Sequence, residues 1–452
     1  MNYNNYMDYI QIQRELRNEL YMKIKARGAK NVAKSLDIDS RELGRLFKTL
    51  DKENFERKIS ITMIDSLTEY LGLPDGYYYP KFLGELRRKP NKRGEAHEGK
   101  GAFMEDKTKE FIKRCLEVEN YELVSRIIEM ICQEKSIKVV FELAEDIFNL
   151  AEKKYPYDSL TVNYEKPEYL QCLYLYNTII EKEKSFSTFL AVCHLRKYYL
   201  LRFDRKQVHE LLNNMKMFIK FMSDDEQLNA YERLCGYYKL YFKWSELYEA
   251  STTLGNMAKN VDTDRYGFAL ISKGFALNGL GRYDETFDVI SQYEQLSEFK
   301  YEARMNRLIT KAHIGDLEAL KDLTILAMRF RSPEKESTLA IVIENYAKVG
   351  EYEKALEIMR ECNATLYLDS DNTTHVAFKI MRFKRAEGIV LLQTGNEKKG
   401  LDKIIEAAKM ALNLKITPDF GELIAIFNQN IQFASTKQKN TLINMYTILE
   451  RR

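Results

Sequence analysis

The sequence predicts an all-α protein in which a small N-terminal helical domain precedes a long array of paired helices. Three observations lead to this fold class. The chain has 452 residues with only 20 Gly and 7 Pro, too few for a turn-rich β-sandwich. Hydrophobic residues make up 45% of the chain and recur at helical spacing, enough for a large buried core. Glycine turns also return at nearly regular intervals in the second half of the chain.

The charge distribution separates the two parts of the chain. Residues 1–94 contain 19 Lys+Arg and 13 Asp+Glu, a balance of +6, whereas the remainder carries 51 and 54, a balance of −3. The excess of positive charge in residues 1–94 is compatible with contact between this N-terminal part and a polyanion. The first residues lack an export signal, no apolar stretch is long enough to span a membrane, and the six cysteines form no CxxC pair. We therefore expect a cytoplasmic protein with no membrane association.

The N-terminal domain is predicted element by element from apolar spacing. Apolar residues four apart predict a helix over residues 8–26, and the same spacing predicts another over 59–73. Residues 31–50 contain two short helices, the second of which begins after Asp39, where Asp39 and Glu42 have the spacing of a capping box. The residues expected to form the core are Ile12, Leu16, Leu20, Ile24, Val32, Leu36, Ile38, Leu43, Leu46, Ile59, Met63, Leu67 and Leu71.

The two short helices have the layout of a helix-turn-helix within a domain that we expect to span residues 1–86. This segment resembles the Xre/Cro-type repressors at Ala33, at turn residues 36–38 and at Ser40, which opens the second helix. The family usually has glycine where this chain has Asp37. Because that position takes a positive φ, which aspartate adopts more readily than most residues, Asp37 is compatible with the turn.

Outward-facing residues of these two helices are the candidate DNA contacts. Arg41 and Arg45 can each bond the edge of a guanine in the major groove, whereas Ser40 and Lys48 are better placed for phosphates. The start of the preceding helix can hold the DNA backbone near its N-terminal amides. The alternative is a three-helix unit whose charged side chains are only solvated. The candidates are Lys30, Asn31, Ser40, Arg41, Arg45 and Lys48.

A break in the helical pattern follows this domain. Residues 87–102 are basic, contain Gly and Pro and lack helical periodicity, so they predict a flexible linker. Residues 103–452 then show helix after helix. The clearest unit, residues 267–296, consists of two helices joined at a glycine turn. Comparable turns, separated by 34, 35 and 45 residues, are centred on Gly281, Gly315, Gly350 and Gly395.

A 34-residue helix–turn–helix period is typical of tetratricopeptide (TPR) repeats. Residues 103–452 are therefore expected to form a right-handed TPR-like α-solenoid of about eight helix pairs, with an insertion at 365–375. Trp244 occupies the place of Tyr283 in an earlier, weaker repeat, and residues 117–128 contain the first turn. Gly274 permits close packing inside the first helix of its pair, and Gly388, Ala355 and Ala407 lie where the repeat takes a small residue. The last helices would cap the array or form a dimer contact.

A TPR array offers a concave groove lined by the first helix of each pair, and such grooves bind extended peptides. Asparagine amides can bond a peptide backbone, and apolar pockets accept its side chains. The alternative is that the aromatic residues belong to the core and the asparagines are only exposed. Counted from the turn glycines, the groove positions are Phe268, Ile271, Phe275, Asn278, Met305, Asn306, Glu344 and Asn345.

The sequence contains no catalytic motif. It has no GxxxxGK[ST], GxSxG or HExxH, and its five histidines are dispersed. We therefore expect a protein that is not an enzyme and that carries no cofactor or metal.

A repressor-type head followed by a TPR-like array resembles the RRNPP family of Gram-positive and phage peptide receptors. The resemblance covers the architecture of nearly the whole chain, and its specific part is residues 31–50 with the turns near 281, 315 and 350. It implies a homodimeric transcriptional regulator that binds double-stranded operator DNA. It also implies a short signalling peptide, of the quorum-sensing or lysis–lysogeny type, that modulates oligomeric state or DNA affinity. The alternatives are a protein–protein adaptor that antagonises a response regulator and a repressor without a peptide ligand.

Overall fold

The computed structural model confirms the all-α class. Every regular element in the part of the chain that the structure describes is a helix. The chain divides into two compact units, Met1–Cys193 (unit 1) and His194–Arg452 (unit 2). The described residues are 3–47, 59–86, 104–155, 165–202, 204, 206–331, 334–362, 374–414 and 416–450.

Unit 1 begins with the predicted N-terminal helices. A 3₁₀ turn at Leu83–Leu86 follows α5. The helices are α1 (Tyr3–Arg27), α2 (Ala29–Ser35), α3 (Ser40–Phe47), α4 (Ile61–Tyr70), α5 (Tyr79–Phe82), α6 (Glu105–Glu117), α7 (Tyr121–Glu134), α8 (Ile137–Lys154), α9 (Pro167–Lys182) and α10 (Thr188–Leu201), which continues into unit 2.

Unit 2 is a succession of helices in which each contacts the next from α12 to α22. Alternate helices also meet, in the pairs α12–α14, α14–α16, α16–α18 and α18–α20. The helices are α11 (Val208–Phe218), α12 (Asp224–Leu240), α13 (Trp244–Ala258), α14 (Thr263–Gly279), α15 (Tyr283–Tyr293), α16 (Lys300–His313), α17 (Leu317–Ala327), α18 (Glu334–Lys348), α19 (Tyr352–Cys362), α20 (Thr374–Gln393), α21 (Glu397–Asn413), α22 (Thr417–Gln429) and α23 (Thr436–Glu450).

The predicted core of the N-terminal helices is largely confirmed. The predicted members that are half-buried instead are Ile12, Leu36, Ile38 and Met63, and the side chain of Leu46 lies outside the described residues. Asp39 marks the start of α3, as predicted, because its carboxylate accepts the Arg41 N–H at 2.8 Å. The fully buried members are Leu16, Leu20, Ile24, Val32, Leu43, Ile59, Leu67 and Leu71.

One backbone geometry ends many of the helices. Asp37 has a φ of 52°, as the sequence predicts, and the Ile38 N–H donates to the Ala33 carbonyl at 3.0 Å. The same bond, to the carbonyl five residues earlier, closes the turns after α6, α12, α14, α16, α18 and α20. This Schellman pattern satisfies carbonyls that a helix end leaves unpaired. The left-handed residues of these seven turns are Asp37, Glu119, Phe242, Gly281, Gly315, Gly350 and Gly395.

The four predicted glycine turns are therefore confirmed as helix ends. The φ angles of these glycines lie between 72° and 87°. Trp244 and Tyr283 each open the helix after a left-handed residue, which confirms that their positions are equivalent. The predicted turn within residues 117–128 is also present, with Glu119 at a φ of 57°. Phe242 and Glu119 take the place of glycine, so a search for glycines alone does not find these turns.

The N-terminal helices and α6 pack against each other within unit 1. The Met104 N–H donates to the Leu86 carbonyl at 2.8 Å. The Phe111 ring centroid lies 5.1 Å from that of Phe82 and 5.2 Å from that of Tyr79. The predicted linker, residues 87–102, lies outside the described residues. The boundaries at 1–86 and 103–452 stay a prediction.

Glycines set the closest approach of α20 and α21. A Cβ built on Gly388 would lie 2.7 Å from the Ile404 side chain, so the prediction that this position takes a small residue is confirmed. The prediction of close packing at Gly274 is wrong, because no atom of a neighbouring element lies within 4 Å of a Cβ built there.

Replacing Gly400 with alanine is expected to destabilise unit 2 by about 1–3 kcal/mol, the usual cost of overpacking. The new Cβ would lie 2.9 Å from the Leu392 nitrogen and 3.0 Å from the Gly388 carbonyl oxygen, and backbone atoms cannot move aside cheaply. Urea unfolding followed by circular dichroism measures the change. Gly274→Ala is the matched control, for which unchanged or increased stability is expected because alanine favours a helix. Equal effects of the two substitutions would contradict the close approach.

Candidate functional site

The predicted DNA contacts that the structure describes lie on the exposed surface of α2 and α3. Lys30, Asn31, Ser40 and Arg41 are all exposed. On the opposite side of the same helices, Val32, Ala33 and Leu43 are buried. The two short helices therefore separate an apolar inner side from a polar outer side. The side chain of Arg45 and the whole of Lys48 lie outside the described residues.

A buried ion pair holds the helices beneath this surface. The Glu85 and Arg17 side chains are 0% and 1% exposed, with 2.8 Å between Oε1 and the guanidinium. Gln13 Nε2 also donates to Glu85 Oε1, and the Ile59 N–H donates to Oε2 at 3.1 Å. Lys107 Nζ on α6 donates to the Ile59 carbonyl at 2.6 Å. The carboxylate thus connects α1, the 3₁₀ turn and the segment that starts α4, with α6 attached through Lys107.

Sequence reasoning missed this pair because Arg17 and Glu85 are 68 residues apart. Each residue looks like an ordinary member of a solvated helix face. No local pattern marks either one as buried, and only the packing of α1 on residues 83–86 brings them together.

The predicted groove residues divide into two groups. Phe268, Ile271, Phe275, Asn278, Met305 and Glu344 are half-buried and lie three, six, ten or thirteen residues before the left-handed turn residue of their repeat. Asn306 and Asn345 are buried instead. Asn306 Nδ2 donates to the Tyr293 hydroxyl at 2.9 Å, and Asn345 Nδ2 donates to the Ile341 carbonyl at 2.8 Å. The amide N–H groups of these two asparagines are thus used within the protein.

The same register identifies further positions, equivalent to the predicted groove residues, that sequence reasoning missed. Counting back from Phe242 gives Lys239 on α12, and counting back from Gly395 gives Arg382 and Arg385 on α20. A count of 34 residues from one turn glycine to the next does not reach these positions. The turn residue of the first helix pair is Phe242, not glycine, and Gly395 follows Gly350 by 45 residues. We call the combined set the interior face, which consists of Lys239, Phe268, Ile271, Phe275, Asn278, Met305, Glu344, Arg382 and Arg385.

Aromatic contacts bring the two ends of the interior face together. The Phe378 ring on α20 lies 5.4 Å from the Tyr241 ring and 5.7 Å from the Phe242 ring. The Arg382 guanidinium lies 5.4 Å from the centroid of Phe242. The turn after α12 therefore lies against α20 within unit 2.

Charged groups of opposite sign meet on the α18–α20 part of the interior face. Glu344 lies 3.9 Å from both Arg382 and Arg385, and Arg385 also pairs with Glu422 on α22. These distances from Glu344 are long for an ion pair. Several buried polar atoms of α14, α18 and α20 have no hydrogen-bond partner among the described residues. They are Asn278 Oδ1, Glu344 Oε1, Asn345 Oδ1 and Arg385 Nε.

His313, at the end of α16, is held neutral. Burial lowers the pKa of its imidazole to about 4, with nearby Lys348 and Arg382 acting in the same direction. Glu344 and Asn345 oppose this shift. The ring stacks on Tyr283 with centroids 6.3 Å apart.

Lowering the pH from 7 to 5 is expected to destabilise unit 2 through His313 by roughly 1–2 kcal/mol. The unfolded chain protonates this histidine near its ordinary pKa of 6.5, whereas the folded protein does so only near 4. The stabilisation of the folded state by neutral His313 is therefore complete above pH 6.5 and is lost as the pH falls towards 4. Urea unfolding at both pH values compares the wild type with His313→Gln. The variant should lose less stability over this interval, and an equal loss would contradict the neutral histidine.

Two kinds of feature are absent from the described residues. None of the helices combines the length and apolar character needed to cross a membrane. The same residues contain no group of three or more His, Cys, Asp or Glu placed to hold a metal ion.

Two comparisons with known proteins found no relative. No protein-family model matches the sequence. No curated protein is similar to it at a significant level either.

Proposed function

We propose that this protein is a DNA-binding transcriptional regulator whose α2–α3 pair is a helix-turn-helix. The observation that carries this proposal is the left-handed turn at Asp37, followed by a helix that exposes Ser40 and Arg41 and buries Leu43. A recognition helix needs this division, because its inner side anchors the helix while its first outward residues reach base edges. The basic balance of residues 1–94 supports the approach to DNA.

We further propose that the TPR-like array of unit 2 binds a short signalling peptide on its interior face. Half-buried apolar side chains on α14 and charged groups on α18 and α20 offer an extended peptide both apolar surface and polar partners. The regulator acts as a cytoplasmic homodimer. A peptide that binds one curvature of the array more tightly shifts the population towards it, and the spacing of the two heads on DNA changes with it.

Chromatin immunoprecipitation with sequencing, on the tagged protein in its native host, tests the DNA-binding part. Discrete genomic sites that share an inverted repeat are expected, because a dimer reads two half-sites. Enrichment no higher than that of an untagged strain would contradict the proposal. Capture of a response regulator without DNA enrichment would favour the adaptor function.

Scattering after size exclusion, combined with binding to the identified operator, tests the peptide part. The probe is the peptide fraction of the host's culture filtrate. A change in mass, shape or operator affinity is expected when this fraction is added. A repressor without a peptide ligand would show none of these changes.

A further inference from the structure

A small polar cavity lies between α11, α12 and the start of α13 in unit 2. Its volume is about 130 Å³, room for a group of phosphate size and well below the roughly 300–1,000 Å³ of sites for larger organic ligands. His209, Asn213 and Lys216 line it from one face of α11, where they follow each other at helical spacing. None of the interior-face residues lines this cavity, so it is separate from the proposed peptide site.

Tyr238 on α12 brings an unused donor to the cavity. The residue lines the cavity and is 5% exposed, but its hydroxyl has no hydrogen-bond partner among the described residues. The neighbouring Tyr237 differs, because its hydroxyl is hydrogen-bonded to His209 Nδ1. The Tyr238 oxygen is not sealed from solvent, so the cavity is where water or a ligand can bond it.

Lys216 and Lys243 place two ammonium groups at the same cavity. Lys216 Nζ lies 5.7 Å from the ring centroid of Tyr238, and Lys243 Nζ lies 6.0 Å from that of Tyr237. Neither ammonium forms an ion pair with a carboxylate of the described residues. Both side chains are exposed, so their charges are hydrated and free to pair with a ligand. Their position beside two adjacent tyrosines makes the potential at the cavity positive.

The first turn of α13 adds backbone donors beside the cavity. Lys243 is the N-cap residue of this helix and supplies no side-chain acceptor to the first-turn amides. The Trp244 N–H donates to the Phe242 carbonyl at 3.0 Å, whereas no described residue accepts from the N–H groups of Ser245 and Glu246. Free amides at a helix start attract anions, because the helix dipole is positive there.

One carboxylate in the lining opposes an anion. Glu246 also lines the cavity, is exposed and forms no ion pair with a described residue. The charges of Lys216, Lys243 and Glu246 are +2 and −1, which leaves +1 for these three side chains. The glutamate therefore weakens the binding of an anion without reversing the sign of the charge at the cavity.

We propose that this cavity binds a phosphoryl group, either inorganic phosphate or the phosphate of a small phosphomonoester. The ammonium groups of Lys216 and Lys243 pair with its negative charge, while the Tyr238 hydroxyl and the first-turn amides of α13 donate to its oxygens. A phosphoryl group has three strong acceptor oxygens and so uses donors from several elements, whereas a carboxylate has two. The site does not depend on the proposed DNA-binding and peptide-binding functions.

Titration of inorganic phosphate and of methyl phosphate with the full-length protein, followed by phosphorus NMR at constant ionic strength, tests the site. Binding should broaden the resonance of at least one probe at millimolar concentration. Stronger binding of inorganic phosphate identifies the free ion, and stronger binding of methyl phosphate identifies a phosphomonoester; either supports the proposal. Acetate should not displace the probe, and displacement by acetate as readily as by phosphate would contradict a phosphoryl site.

Variants then assign the binding to the cavity. Lys216→Met and Lys243→Met should each weaken it by at least about fivefold, and Tyr238→Phe by about threefold or more. Glu246→Gln should strengthen it about two- to fivefold, because a repulsive charge is removed. Lys220→Met is the matched control, since this lysine is also exposed and beside an aromatic ring but does not line the cavity. It should behave as the wild type.

The pattern across these variants decides the outcome. Weaker binding confined to the cavity variants, together with stronger binding by Glu246→Gln, supports the site. Equal binding by all variants would place the phosphate elsewhere on the protein and overturns the proposal, as does the absence of broadening with both probes. Circular dichroism checks that each variant is folded, which is expected because Lys216, Lys243 and Glu246 are exposed. None of these results bears on DNA or peptide binding.

Discussion

Replacing Glu85 with alanine is expected to lower the stability of unit 1 by about 3–5 kcal/mol, the largest effect of any single substitution considered. The substitution removes the carboxylate that pairs at 2.8 Å with the Arg17 guanidinium, which is 1% exposed. It also removes the acceptor for Gln13 Nε2 and for the Ile59 N–H. Because unit 1 includes α2 and α3, this loss should also weaken DNA binding without changing a residue of the exposed surface.

Hydrogen exchange measured by mass spectrometry suits this prediction, because the chain has two compact units and global unfolding need not be two-state. Amides of α1 should exchange faster in Glu85→Ala, while those of α14–α21 should not change. The double variant Arg17→Met/Glu85→Leu should recover much of the loss, since replacing both buried charges removes the unpaired one.

Glu117→Ala is the control on the same unit. The carboxylate of Glu117 pairs with Arg114 at 3.1 Å, but both side chains are more than 40% exposed. An exposed pair of this kind contributes at most about 1 kcal/mol. If Glu85→Ala and Glu117→Ala had similar effects, the buried pair would not have the structural role assigned to it.

The double substitution Arg41→Ala/Arg45→Ala is expected to weaken operator binding by about 10²- to 10³-fold. Each arginine that reads a base contributes roughly 1–3 kcal/mol of discrimination. Arg41 is exposed at the start of α3, and Arg45 follows it by one helical turn. Fluorescence anisotropy with the operator identified by immunoprecipitation measures the affinity. The slope of log K against log salt should also decrease, because two positive charges are removed.

Arg329→Ala/Arg331→Ala removes the same charge from exposed positions of unit 2 and is the matched control. It should leave operator affinity within about twofold of the wild type. Single substitutions at Ser40 and Lys30 should weaken binding to all sequences alike, since phosphate contacts carry no sequence information. Unchanged operator affinity in Arg41→Ala/Arg45→Ala would contradict the assignment of α3 as the recognition helix.

Much of the fold follows from the sequence because its signals are local. Apolar residues four apart predicted α1 and its buried Leu16 and Leu20. The glycine turns followed from the positive φ that a helix end of this type requires. The left-handed conformation of Phe242 and Glu119 could not be predicted in this way. Residues other than glycine rarely adopt a positive φ, so neither residue type indicates a helix end.

The candidate peptide site was only partly predictable. The register from the turn glycines found the half-buried positions on α14, but Asn306 and Asn345 proved to be buried and bonded within the protein. A helix position only one residue away from an exposed one points some 100° round the axis. An error of one residue in the predicted register is therefore enough to turn an amide from a ligand towards a neighbouring helix.

Local sequence patterns were enough to predict the all-α class, the glycine-marked helix ends and the division between a buried and an exposed side of α2–α3. The packing of distant helices, in contrast, places Glu85 against Arg17 and the turn after α12 against α20. The difference follows from how far apart in the chain the interacting residues lie. Backbone conformation and helical periodicity depend on residues within a few positions, whereas the burial and pairing of a charge depend on helices far apart in the chain that pack together.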